Sequence, residues 1–254
     1  MKSRVVIGLI SLFLSASVLT NIISAVDAFP LYQVKDFFTL GTGQAQSSCN
    51  LPPVSIMPLG DSITHGSGIA GGYRIGLWNL FLANNRPVDF VGSQVNGPPT
   101  IDRNHEGHPG KAIQYIQQEI GGWLGANRPQ IILLMIGTND MLYPQTYDLD
   151  SAPRRLSALI QQITLASPET ELFVASIPPI QSPIANEYVK WFSATIPDTV
   201  AAYVRVGRRV HYVDVNSALT VADLADGIHP NFRGYTKIAQ LWYDAIVSAI
   251  QWPC

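Results

Sequence analysis

From Val54 onward, short apolar runs alternate with longer stretches in which apolar residues recur at helical spacing. The runs predict strands at Val54–Leu59, Val88–Val91, Ile131–Ile136, Leu172–Ser176 and Val210–Asp214. They are mostly apolar, with Val or Ile in each, and lack the polar alternation of a half-exposed sheet, as expected for strands covered on both faces. Helices are predicted over Tyr73–Asn84, Lys111–Leu124, Ser151–Ala166 and Tyr235–Ile250. The third begins with a Ser cap and carries Pro153 in its first turn. The last puts Tyr235, Ile238, Ala239, Trp242 and Ile246 on one face. Ile184–Val206 also reads as helical, but Pro197 predicts a break into two pieces. The alternation points to one α/β domain, a parallel sheet with helices on both sides. No internal repeat or second domain is visible.

Such sheets place their chemistry beyond the carboxyl ends of the strands. Polar clusters stand where that rule wants them. Gly60-Asp61-Ser62-Ile63-Thr64 follows the first strand, and Gly137-Thr138-Asn139-Asp140 follows the third. His105-Glu106-Gly107-His108-Pro109-Gly110 lies between the second strand and a helix. Asp226-Gly227-Ile228-His229-Pro230-Asn231 separates the last strand from the final helix.

A serine hydroxyl becomes a useful nucleophile only when a base takes its proton. Ser62, at a strand-to-loop turn opened by Gly60, is the candidate nucleophile; His229 is the candidate base. Asp226, three residues before His229, is near enough to orient the imidazole. An acyl-transfer site also needs donors for the developing oxyanion. The Ser62 N–H, the Gly110 N–H and the Asn139 side-chain amide are the candidates. Each of these residues also has an ordinary reading: a turn Ser, a glycine before a helix, an Asn capping a loop. Asp61 reads as a turn-holding carboxylate and Asp140 as a structural one. Tyr73 and Arg74 flank the cluster and either shape a substrate subsite or pack. His65, His105 and His108, with Glu106 or Asp102, lack the defined spacing of zinc ligands, so no metal site is expected.

Gly60-Asp61-Ser62, Gly110, Gly137-Thr138-Asn139-Asp140 and Asp226-x-x-His229 resemble, in order, the four blocks of the SGNH (GDSL-type) hydrolase superfamily. Their flanks narrow the resemblance. Met57-Pro58-Leu59, Gly71-Gly72-Tyr73-Arg74, Val88-Asp89-Phe90-Val91-Gly92-Ser93 and the His105–Gly110 and Asp226–Asn231 segments are similar to carbohydrate esterase family 3, which includes acetylxylan esterases. The match runs from about Val54 to Ile250. It implies a three-layer α/β/α sandwich with a five-stranded parallel sheet, the flavodoxin-like SGNH hydrolase fold. It further implies Ser62 as nucleophile, His229 as base, Asp226 as its partner and Gly110 and Asn139 as oxyanion donors. The implied reaction is removal of acetyl groups from a polysaccharide such as xylan, with no cofactor. Gly-x-Ser-x-Gly is absent, which sets the chain apart from α/β-hydrolases. Lys111 stands where an aromatic residue follows the second-block glycine in some family members.

Composition bears on compartment and partners. Lys2 and Arg4 precede an apolar run and small residues, which predicts a signal peptide over residues 1–28, cleaved after Ala25 or Ala28. The competing reading is a membrane anchor; Ser11, Ser15, Ser17, Thr20, Asn21 and Ser24 weigh against it. Residues 29–48 read as a spacer or pro-segment, and 49–254 as the catalytic domain. Cys49 and Cys254 bracket that domain and are expected to pair in an exported protein. A net charge of −2, with no basic run beyond two residues, argues against nucleic-acid binding. A monomer acting away from the membrane on an acetylated polysaccharide is the expectation.

Overall fold

A computed structural model describes residues 52–252. The expected signal peptide, the spacer, Cys49 and Cys254 lie outside the described residues, and with them the predicted disulfide. In chain order the elements are β1 (Val54–Gly60), α1 (Ser62–His65), α2 (Tyr73–Ala83), β2 (Val88–Phe90), β3 (Gln94–Val95), β4 (Asn104–Gly107), α3 (Ile113–Asn127) and β5 (Ile131–Met135). Then come α4 (Thr138–Leu142), α5 (Pro144–Tyr147), α6 (Ala152–Ala166), β6 (Glu171–Ala175), α7 (Pro183–Arg205), β7 (Val210–Val213) and α8 (Phe232–Ala249).

β1 is an inner strand of the sheet. It pairs in parallel with β5 on one edge, and β5, β6 and β7 follow in order. On its other edge β1 pairs twice: Val54–Ile56 with β2, then Leu59 and Gly60 with Glu106 and Gly107 of β4. The expected five-stranded parallel sheet is therefore present, with one outer position shared by two short strands. An antiparallel β3 adds to β4 and brings the sheet to seven strands. Every residue of β5 is buried, so the sheet is covered on both faces. α2 packs with α8, and α3 packs with α6, which in turn meets α7. One continuous apolar core joins sheet and helices. The α8 face enters it through Tyr235, Ile238, Trp242 and Ile246, each about 1.5–3 kcal/mol of burial.

Four elements differ from the sequence reading. Asn104–Gly107 is strand, not loop. His105 and Glu106 are fully buried there, and their polarity hid the strand from a hydrophobicity pattern. α7 runs unbroken through Pro197. Its buried stripe of Val189, Phe192, Ile196 and Val200 outweighs the one backbone bond that proline deletes. Ser151 precedes α6, but its hydroxyl donates to Asp148 O instead of capping the helix. α8 also begins earlier than Tyr235, capped by Asn231 Oδ1 accepting from Gly234 N.

Candidate active site

β1 ends in a glycine that no other residue could replace without displacement. A Cβ on Gly60 would lie 2.1 Å from Met135 O of the adjacent strand. Gly107, beside it on β4, is equally confined: its Cβ would meet His65 N at 2.4 Å. The two glycines let α1 sit directly on the ends of β1 and β4. Asp61 then caps α1 through Oδ1, which accepts from Ile63 N at 2.9 Å. Ser62 is the first residue of the helix and is 8% exposed.

The loop after β7 brings His229 to Ser62. Its ends are pinned together by the Leu224–Pro230 bridge and by Ala225 N donating to His229 O at 2.8 Å. Gln181 N, after β6, donates to Gly227 O at 2.8 Å and fixes the tip. His229 Nε2 lies 2.9 Å from Ser62 Oγ, and His229 Nδ1 lies 2.7 Å from Asp226 Oδ2. Asp226 Oδ1 also accepts from Ile228 N and His229 N. Burial raises the Asp226 pKa, but the His229 ring and those two backbone donors more than offset it and lower it to about 2. The ionised carboxylate accepts from Nδ1–H, which leaves Nε2 free to take the serine proton.

The second and third polar clusters meet near the same end of the sheet. Asn139 Nδ2 donates to Lys111 O at 2.9 Å, which uses one of its two amide hydrogens. Gly137 sits at φ 127, where a Cβ would lie 2.5 Å from the Phe192 ring, so only glycine lets α4 turn there. Gly110 sits at φ 76 in the turn closed by Lys111 N donating to His108 O. Among the described residues neither Ser62 N–H nor Gly110 N–H has a protein acceptor. The arrangement holds a hydroxyl, a base with an ionised partner and three uncommitted donors, which is what acyl transfer requires.

Other expected residues have different places. Tyr73 and Arg74 are wholly buried and cannot form a sugar subsite. Tyr73 O–H is 3.3 Å from Thr64 Oγ1. The Arg74 guanidinium donates to the carbonyls of Thr64, His65, Asn96 and Arg103. It ties the segment after Ser62 to the β3–β4 hairpin, a use that sequence spacing does not reveal. Asp140 is structural, as read: Oδ2 accepts from Ile113 N at the start of α3, and Oδ1 meets Arg155 Nη2 at 2.8 Å. His105 Nδ1 accepts from Gly107 N, and His65 Nε2 lies 3.1 Å from Asn96 Nδ2.

Asp223 escaped the sequence reading. It is fully buried and accepts from Arg233 Nε at 2.6 Å and Lys237 Nζ at 2.9 Å. Burial raises its pKa, but Lys237, Thr220 and Arg233 outweigh this and hold it well below the usual carboxylate range. Its carbonyl accepts from Asn231 N at 2.8 Å, so it anchors the base of the His229 loop to α8. Arg233 and Lys237, one helical turn apart on α8, were the available signal.

Residues 59–237 match the family described as GDSL-like Lipase/Acylhydrolase. A solved Clostridium thermocellum family 3 carbohydrate esterase is 36% identical, with TM-score 0.70, covering 78% of this chain and 96% of its own. An acetyl esterase solved with acetate ion is 26% identical, with TM-score 0.69, covering 77% of this chain and 97% of its own. A multidomain esterase of Ruminococcus flavefaciens is 30% identical over 84% of this chain. The match covers 33% of that protein, so the chain spans about a third of its length. Because that family match spans most of the chain, the chain belongs to the GDSL-like lipase/acylhydrolase family.

Proposed function

We propose that this chain is a secreted serine esterase that removes acetyl groups from a plant polysaccharide such as xylan. The observation that carries the reading is the line of contacts from Ser62 Oγ through His229 to Asp226. In the proposed mechanism His229 Nε2 takes the Ser62 proton as Oγ attacks the acetyl carbonyl carbon. The carbonyl π electrons move to oxygen, and Ser62 N–H, Gly110 N–H and the free amide hydrogen of Asn139 stabilise that oxyanion. Collapse breaks the bond to the sugar oxygen, which leaves with the proton from His229. Water, deprotonated by the same nitrogen, attacks the acetyl-enzyme; acetate departs and Ser62 regains its proton.

The similar structures support the choice of an acetyl group and a carbohydrate: one is named a family 3 carbohydrate esterase, another an acetyl esterase with acetate ion. Export is the third element of the proposal, with the signal peptide removed after Ala25 or Ala28. N-terminal sequencing of secreted material tests it, and an intact Met1 on a membrane-bound product would refute cleavage.

The deciding assay is acetate release from acetylated xylan, compared with other acetylated glycans and with esters of increasing chain length. Fast release of acetate and little turnover of long chains is expected. Preference for long acyl chains would move the chain to the lipid esterases of the family, and polysaccharide binding without turnover would make it a non-catalytic scaffold. Ser62→Ala should abolish acetyl-ester hydrolysis; near-wild-type turnover would sink the mechanism.

A further inference from the structure

Among the described residues, a buried carboxylate behind the site has no Arg or Lys partner. Glu106, on β4, is fully buried. Its Oε2 accepts from Ser93 N at 2.7 Å, and its Oε1 accepts from Ser93 Oγ at 2.7 Å. The same Oε1 lies 2.7 Å from His108 Nε2. Because both carboxylate oxygens already act as acceptors, His108 donates. A polar group is kept in a core only when its hydrogen bonds are satisfied, and this one is satisfied by a serine turn and one imidazole.

His108 is fixed on three sides. Its edge meets Glu106, and its face stacks on Trp123 with ring centroids 4.6 Å apart and planes 9° from parallel. Its own N–H donates at 2.9 Å to the carbonyl of Gly60, two residues before Ser62. Two residues further on stands Gly110, whose N–H has no protein acceptor among the described residues. The turn closes when Lys111 N donates back to His108 O, and Lys111 O accepts from Asn139. The Gly110 peptide is thus suspended between His108 on one side and Asn139 on the other. With positive φ and nothing within 4 Å of a Cβ, the glycine has no side-chain packing of its own to hold it. Its aim is set by the residue before the turn.

We propose that Ser93, Glu106 and His108 are positioning residues that aim the Gly110 N–H at the oxyanion of the reaction. This inference rests on the proposed function, since it concerns a donor for that reaction. A relay of this kind acts on the transition state and leaves the bound ester alone. Its loss therefore lowers kcat with little change in KM.

The test compares wild type, His108→Phe, His108→Gln, Ser93→Ala and Ser62→Ala, with an acetyl ester as substrate and an alkylboronic acid as a tetrahedral probe of the oxyanion donors. His108→Phe keeps the stack on Trp123 and deletes the bond to Glu106. For folded His108→Phe, kcat is expected to fall about tenfold or more with KM within about twofold. Boronate affinity is expected to fall in parallel, and His108→Gln, which keeps a donor, to restore part of both. Wild-type kcat in folded His108→Phe, or a kcat loss with undiminished boronate affinity, overturns the proposal. If His108→Phe does not fold, Ser93→Ala decides: a fall of at least about threefold in kcat and boronate affinity supports it, and unchanged values overturn it. Ser62→Ala separates the two readings. A dead Ser62→Ala beside a fully active His108→Phe removes only this inference, whereas an active Ser62→Ala removes the proposed function beneath it.

Discussion

His229 Nε2 stands 2.9 Å from Ser62 Oγ although 167 residues separate them in the chain. The contact depends on two separate pieces of local order. α1 holds the hydroxyl at the end of β1, and the pinned loop after β7 delivers the ring. Asp226 contributes twice, through Oδ2 to the ring and through Oδ1 to two backbone donors.

That double use predicts an order among variants. Asp226→Asn can keep the backbone contacts through its carbonyl but loses the charge that stabilises the imidazolium. Its side chain is 56% exposed, so water substitutes in part. The expected loss in kcat is about 10–100-fold, smaller than the roughly 10⁴-fold of a buried partner. Asp226→Ala, which also frees the backbone donors, should lose more. Steady-state kinetics on both variants checks the order, and equal activity of the two would refute the backbone contribution.

Asp61 predicts a pH-dependent stability. Burial raises its pKa from 3.8 to about 6, against the opposing pull of the Ile63 N–H. The folded state therefore binds a proton more tightly than the unfolded chain. Stability from this group is full below about pH 4 and is lost as pH rises through about 6. Asp61→Asn keeps an acceptor for Ile63 and cannot ionise. Its advantage in Tm over wild type should grow between those values and then level off, worth at most about 3 kcal/mol. A Tm difference that does not vary with pH would count against a buried, titrating Asp61.

Arg74 predicts a large structural cost. Burial lowers its pKa to about 10, so it remains charged at neutral pH. Arg74→Met strips four carbonyls of their donor inside the fold. We expect a loss of at least about 3 kcal/mol in denaturant unfolding, and about as much for Arg74→Lys, whose single ammonium cannot span the four. A loss below about 1 kcal/mol would show that water or rearrangement replaces the guanidinium.

Pro197 predicts a gain. It lies inside α7 and leaves the carbonyl four residues earlier without its helical donor. Pro197→Ala should stabilise the protein by about 1–3 kcal/mol, seen as a rise in Tm. No rise would mean that the packing of Phe192 and Ile196 depends on the proline ring itself.

What the sequence by itself determined is what local chemistry can encode. Apolar runs such as Ile131–Met135 announce buried parallel strands, and helical spacing on Tyr235–Ile246 announces the α8 face, because periodicity survives without knowledge of partners. Gly60-Asp61-Ser62, Gly137-Thr138-Asn139 and Asp226-x-x-His229 stood out because their residue types and their place after strands are one-dimensional facts. Partnership is not one-dimensional. Only the tertiary structure decided that His105 and Glu106 belong to a strand, since their burial depends on Gly107, Ser93 and His108 supplying hydrogen bonds. It likewise withdrew Tyr73 and Arg74 from the surface, carried a helix through Pro197, and assigned Asp223 to the base of the His229 loop. In each case the deciding energy comes from groups distant in sequence: a carbonyl for a guanidinium, an apolar face for a proline, two cations for a buried carboxylate. A pattern of polarity records which residues need partners, and the fold supplies them.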